Sequence, residues 1–297
     1  MYKYISSEVA PLFSATLRVR FTQPGALNDP FEFRPLIDFE STANEIRDLV
    51  SAGLFKRFDT ADDFLAYIEK LQATDPKYPA TVVPIQVFRK MVAADPKLGQ
   101  KVISELEKHR VEVMNSFDTK VKWETIWEDF RQSFGQSVGI FSLTEDPVNP
   151  LMWSHYASEH YGIVVEFDDN DPWFNQRVSP ADDLRHLVKV SYVQNPHPRT
   201  WKQLDGFDVL YTKNSEWAYE REWRIIRPLK DGTETKPGIV CFDVPATAVS
   251  SIIFGCRTHP DLEAEIRAAV TIRADLNHIA FKRAKLVPGG KIELVGA

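Results

Sequence analysis

FSLTEDPVNPLMWSHYASEHYGIVVEF, residues 141–167, reads as strand, turn, helix and strand in succession. The apolar run from Gly139 to Leu143 gives way to the polar Thr144-Glu145-Asp146. Pro147 and Pro150 then supply the fixed backbone angle tolerated at a helix start, and Asn149 brings the side-chain oxygen that caps one. The pattern predicts a short helix from about Pro150 to Glu159. Gly162 is expected to close it in the left-handed conformation that glycine adopts most cheaply. Ile163-Val164-Val165 with Phe167 then predict a buried strand.

Outward from this unit, strands dominate. Tyr2-Lys3-Tyr4-Ile5 is a short strand candidate, Ser7 to Phe13 a helical turn, and Leu17-Arg18-Val19-Arg20-Phe21 alternates with the period of a strand buried on one face. On the C-terminal side, strands are expected over Lys189–Val193, Gly238–Asp243, Val249–Phe254, Asn277–Lys285 and Lys291–Val295, with a helix over Pro260–Ala274. The fold class is α+β, with a mixed, mostly antiparallel central sheet.

Between about residues 42 and 134 the text changes. Ala43–Val50, Ala61–Gln72, Val82–Ala94, Lys97–Ser116 and Lys120–Phe134 all space apolar residues by three and four, with Pro76, Pro79, Pro84 and Pro96 between them. This is a helical insertion expected to pack against the sheet of one domain spanning 1–297, or to act as a lid. Gly/Ser linkers and repeats are absent from it.

Bulk properties narrow the class. The 297 residues are 43% hydrophobic and 26% charged, ordinary for a soluble chain, and the formal charge of −6 offers no global basic field for a polyanion. The two cysteines, Cys241 and Cys256, stand in separate strand-like runs rather than at a metal or disulfide spacing, so a reducing cytoplasm is the expected setting. The N-terminus lacks the basic-then-apolar plan of a signal peptide, and no run of about 18 apolar residues predicts a membrane span.

Two patches carry the candidate chemistry. The loop Thr22–Glu32 holds Pro-Gly and Asn-Asp-Pro turn formers, and Asn28, Asp29 and Glu32 at its tip either shape the turn or meet a ligand. In Glu220–Ile226, read as extended, Glu220, Glu222 and Arg224 share one face. Three charges on one sheet face are costly to bury unless paired, so they are exposed, bridged to one another, or line a site. On the Pro150–Glu159 helix, His155 and His160 are five apart, a poor spacing for two metal ligands, and no metal site is expected. His155 and Glu159 share a face at i,i+4. Trp153, Tyr156 and His160 share another, suited to core packing or to a binding pocket.

These residues as a set resemble the bacterial family catalogued as domain of unknown function 2971. The set comprises Tyr2-Lys3-Tyr4, Asn28-Asp29-Pro30-Phe31-Glu32, Phe141-Ser142 leading to Leu151–Ala157, the Gly162 strand, and Trp217–Arg224, over about residues 1–256. The layout is also similar, more weakly, to the split-sheet core of ADP-ribosyltransferases, with Lys3 where that family carries His or Arg. That similarity implies NAD as substrate, Glu222 on the nicotinamide ribose and the oxocarbenium-like state, and Glu220 positioning the acceptor. It places Lys3 and Tyr4 near the adenosine, with Trp153 or Tyr156 stacking on a ring.

The expected activity is therefore an NAD-dependent ADP-ribosyl transfer or NAD hydrolysis, in a toxin or phage-defence setting. Glu222, Glu220 and His155 are the candidate catalytic residues. Lys3, Tyr4, Asn28, Asp29, Trp153, Tyr156 and Arg224 are the candidate ligand contacts. The partners would be a nucleotide-like small molecule and a protein or nucleic-acid acceptor, with no membrane. The alternative is a non-catalytic module that binds a ligand or protein through the same aromatic residues.

Overall fold

In the computed structural model, the described residues are 1–41, 44, 57–74, 89–90, 92–93, 95–116, 120–179, 182, 184–194, 196–200, 203 and 208–297. The chain divides into two compact units, one of residues 1–36, 129–198 and 204–297, the other of 37–128 and 199–203.

The first unit is built on an eight-stranded sheet. Its strands are β1 (Tyr2–Ile5), β3 (Val138–Thr144), β4 (Ile163–Phe167), β5 (Val188–Lys189), β8 (Glu222–Pro228), β11 (Val249–Phe254), β12 (Ala280–Val287) and β13 (Lys291–Gly296), in the order β13-β12-β11-β4-β1-β3-β8-β5. Pairing is antiparallel except between β11 and β12. A smaller sheet joins β2 (Arg18–Phe21), β10 (Ile239–Asp243) and β9 (Thr233–Lys236), and β6 (Ser191–Val193) pairs in parallel with β7 (Thr212–Asn214). The architecture is α+β with a mostly antiparallel sheet.

Period-two alternation sorts the core. Ile163, Val165 and Phe167 face one side of β4 with Phe13, Phe141, Ile225 and Ile266, while Val164 faces the other with Tyr4, Trp153 and Ile253. The first layer is covered by α1 (Ala10–Thr16) and by Pro260–Thr271, which pack together. Beside the second, Ile140 and Ile226 form an apolar cluster with Leu210 and Val209.

The decisive stretch keeps its order with two departures. Its helix is Pro150–Tyr156, capped by Asn149, whose Oδ1 accepts from the amides of Leu151 and Met152 at 2.9 and 3.3 Å. It ends before Glu159 because Ser158, Glu159 and His160 are all left-handed, with φ of 46°, 52° and 73°. Glycine is needed at 162 for room, not for a positive φ: a Cβ there would lie 2.2 Å from the Ile5 carbonyl oxygen. The expected strand over Lys189–Val193 is two, β5 and β6, in different sheets.

In the second unit the described helices include Ala61–Thr74 and Pro96–Ser116, matching the expected 61–72 and 97–116; the helix Lys120–Ser137 runs across the division at Asp129 and precedes β3. The expected helices over 43–50 and 82–94 lie for the most part outside the described residues.

Candidate functional site

The site lies where the large sheet comes apart. β1 pairs with β4 along its whole length, and β3 pairs with β8 from Val138↔Pro228 to Thr144↔Glu222. Between β1 and β3, among the described residues, pairing occurs at one position, Tyr2↔Thr144. Beyond it Lys3 spans the gap, its Nζ donating to the Ser142 carbonyl at 2.8 Å. A cavity of about 250 Å³ opens there. Its floor is Ile140, Ser142 and Thr144 of β3. Its walls are Tyr2, Lys3 and Tyr4 of β1, Met152 and Tyr156 of the short helix, Leu27, Asn28 and Glu32 of the 22–32 loop, and Lys213, Glu220, Glu222 and Arg224.

Three carboxylates and two cations interlock in this wall. Arg224 donates from Nε and Nη2 to the two oxygens of Glu222 at 2.7 and 2.9 Å, from Nη2 to Glu32 at 2.6 Å, and from Nη1 to the Leu210 carbonyl at 2.7 Å. Lys213 lies 2.7 Å from Glu220, 2.9 Å from Glu32 and 3.4 Å from Glu222. All five residues are buried. Isolated, any one of these charges would be expelled from such a place; together each has an opposite partner within reach. The second oxygen of Glu220 accepts from the Tyr156 hydroxyl at 2.5 Å, and that hydroxyl accepts from Asn28 at 2.7 Å.

Burial and pairing pull the acidities apart. Burial alone would raise Glu222, yet the Arg224 guanidinium, Lys213 and a hydrogen bond from Ser142 hold it down at about 2. Glu220 shifts the other way, because burial outweighs Lys213 and Tyr156. The two lysines also diverge. Lys213 is raised, its burial overcome by Glu222, Glu32 and Glu220. Burial lowers Lys3 to about 8, only partly opposed by Glu222 and Glu220. Tyr156 is raised by burial and by Glu220.

The structure brings Lys3, Tyr4, Asn28, Tyr156, Glu220, Glu222 and Arg224 to one cavity. Glu220 arrives differently than expected: it ends a 3-10 turn, Ser215–Glu220, Arg221 follows at φ 45°, and β8 begins only at Glu222. The turn and the strand start deliver both carboxylates to the same space without alternation along one strand. His155 is exposed and outside the lining. Trp153 is fully buried, with its indole N–H on the Pro147 carbonyl, its ring edge-on to Tyr4 and stacked with His160. Asp29 accepts from the Phe31 amide and shapes the loop. Lys213 and Thr144 were not singled out in the sequence. Lys213 is a lone lysine in a three-residue strand, and nothing local marks it as the bridge among three glutamates.

Among the described residues no group of three or more His, Cys, Asp or Glu is arranged to hold a metal ion, and no helix is long and apolar enough to cross a membrane. The three cavity glutamates face Lys213 and Arg224 instead.

Residues 152–225 match the family described as "Protein of unknown function (DUF2971)". The match is narrower than the 1–256 span of the motifs, but it contains Tyr156, Lys213, Glu220, Glu222 and Arg224. No curated protein and no solved structure matches the chain.

Proposed function

We propose that this cavity binds the nicotinamide riboside end of NAD and breaks its glycosidic bond, as an ADP-ribosyltransferase or NAD glycohydrolase does. One observation carries the reading: Lys3, Ser142, Glu220 and Glu222 line a single cavity at the point where β1 and β3 part. In this reading nicotinamide leaves with the electron pair of the C1′–N bond, and the ribose becomes oxocarbenium-like. Glu222, anionic down to a pH of about 2, stabilises that cation. Glu220, shifted upward by burial, receives the proton of the attacking water or acceptor hydroxyl. About 250 Å³ is smaller than the usual drug-sized pocket, so the adenosine end extends outside it.

The test is release of nicotinamide from NAD by the purified protein, with and without a lysate as acceptor source, against Glu222→Gln. Release that the substitution abolishes, in protein that still melts cooperatively, supports the reading. No release, and no shift of melting temperature with NAD, overturns it.

A second reading is favoured by the clamp of Arg224 on Glu222: both oxygens of the carboxylate are already bonded. A carboxylate so held suits a binding module that recognises a ligand without transforming it. A melting shift with NAD and no nicotinamide release would favour that alternative.

A further inference from the structure

Two lysines face the same cavity and differ in one respect. Lys213 is within 4 Å of three carboxylates, Glu32, Glu220 and Glu222, and its ammonium also sits over the Trp217 ring at 4.7 Å. Among the described residues no carboxylate lies within that distance of Lys3. Its Nζ donates to the Ser142 carbonyl and lies 5.2 Å from the centre of the Phe141 ring. One acceptor for three N–H bonds leaves the nitrogen with capacity to spare, and it lies on the wall of a cavity a small molecule can fill.

We infer that Lys3 is the reactive amine of this cavity, a site at which a small aldehyde or ketone is captured covalently as an imine. The neutral amine attacks the carbonyl carbon, a C–N bond forms, and the carbonyl oxygen takes a proton to give a carbinolamine. Nitrogen gives up its first proton in forming the carbinolamine; the hydroxyl then takes a second proton and leaves as water as the C–O bond breaks, and nitrogen releases its remaining proton, so amine plus carbonyl gives imine plus water without oxidant or reductant. The groups around the nitrogen suit both stages. Burial holds Lys3 at about 8, so a sizeable fraction is neutral near pH 7.5, whereas an ordinary lysine, near 10.4, is almost wholly charged. Glu220, raised by burial and bonded to both Tyr156 and Lys213, is the nearby carboxyl for proton exchange; Glu222, Glu32 and Arg224 are bonded to one another.

The inference goes beyond NAD chemistry and does not need it: the experiment contains no NAD, so nicotinamide release can fail while Lys3 reacts, or the reverse. A structural role for Lys3, closing the gap between β1 and β3, would predict an unreactive amine.

The full chain is incubated with propanal and sodium cyanoborohydride, which reduces any imine to a stable propyl-lysine, over pH 6.5 to 10.5. Labelling is followed by peptide mass mapping, with fragment ions separating the Lys3 side chain from the Met1 α-amine. Lys285 and Lys291, both exposed, are the internal references. At pH 7.5 Lys3 should label about tenfold to a hundredfold faster than either reference, and the advantage should shrink as the medium approaches pH 10. In denaturant the advantage should vanish. Lys3→Arg, checked by its melting curve, should abolish that peptide's side-chain label and leave the references unchanged. Labelling of Lys3 at or below the reference rate at pH 7.5 in the folded protein overturns the inference.

Discussion

Arg224 grips Glu222, two residues earlier on the same strand, through Nε at 2.7 Å and Nη2 at 2.9 Å, and the same Nη2 reaches across to Glu32 at 2.6 Å. Alternate positions of a strand share a face, so the strand itself presents the acid beside its base. The loop carboxylate then completes the guanidinium's shell. That arrangement ties the 22–32 loop to β8 on the cavity wall.

Arg224→Met should therefore cost about 3–5 kcal/mol, because Glu222 and Glu32 are left buried with Lys213 as their shared cation. Combining it with Glu32→Gln should cost less than the two changes summed, since the second relieves a charge that the first strands. Urea unfolding of the three variants checks both statements; strict additivity would mean that Arg224 acts through packing alone.

Much of this was legible in the sequence, and for identifiable reasons. Period-two runs and the Asn149 cap gave the strands and the short helix, because both depend on residues close in the chain. Glu220, Glu222 and Arg224 could be named as a charged cluster from spacing. Their partners could not. Lys213 comes from a separate short strand and Glu32 from a loop 192 residues before Arg224, and such pairings follow from tertiary topology. The break after Tyr156 was hidden too, because Ser158, Glu159 and His160 are not residues that announce three successive left-handed conformations.

Acid should weaken the fold through Glu222. Its carboxyl titrates at about 2 when folded against an ordinary 4.5, so between these values the unfolded chain binds a proton that the native protein does not. Stability from this group is complete above about pH 4.5 and is lost as pH falls toward 2. The loss amounts to about 3 kcal/mol. Denaturant unfolding across pH 2–5 should show a steeper decline for the wild type than for Glu222→Gln; parallel curves would refute the assignment.

Gly162→Ala should destabilise although the backbone there is not left-handed. The added Cβ would meet the Ile5 carbonyl oxygen at 2.2 Å and the Ala157 carbonyl oxygen at 3.0 Å, and both obstacles are backbone. Relief requires β4 to move from β1, which pair beside it at Ile5↔Ile163. A cost of about 1–3 kcal/mol or more is expected, seen as a lower melting temperature. Unchanged melting would mean that the strand ends separate freely.

Lys3→Met should stabilise the protein at neutral pH, and the gain should fade as the medium becomes alkaline. Lys3 titrates at about 8 in the folded state and near 10.5 unfolded, so between these values the unfolded chain holds the extra proton and wild-type stability rises with pH. Methionine keeps most of the apolar stem over Phe141 and has no charge to desolvate, which removes that dependence. The difference between the variants should be largest below pH 8 and close toward pH 10.5, as measured by urea midpoints across that range. A wild type that is the more stable at pH 7 would place the ammonium among the groups that hold the split sheet together, rather than among those the fold carries at a cost.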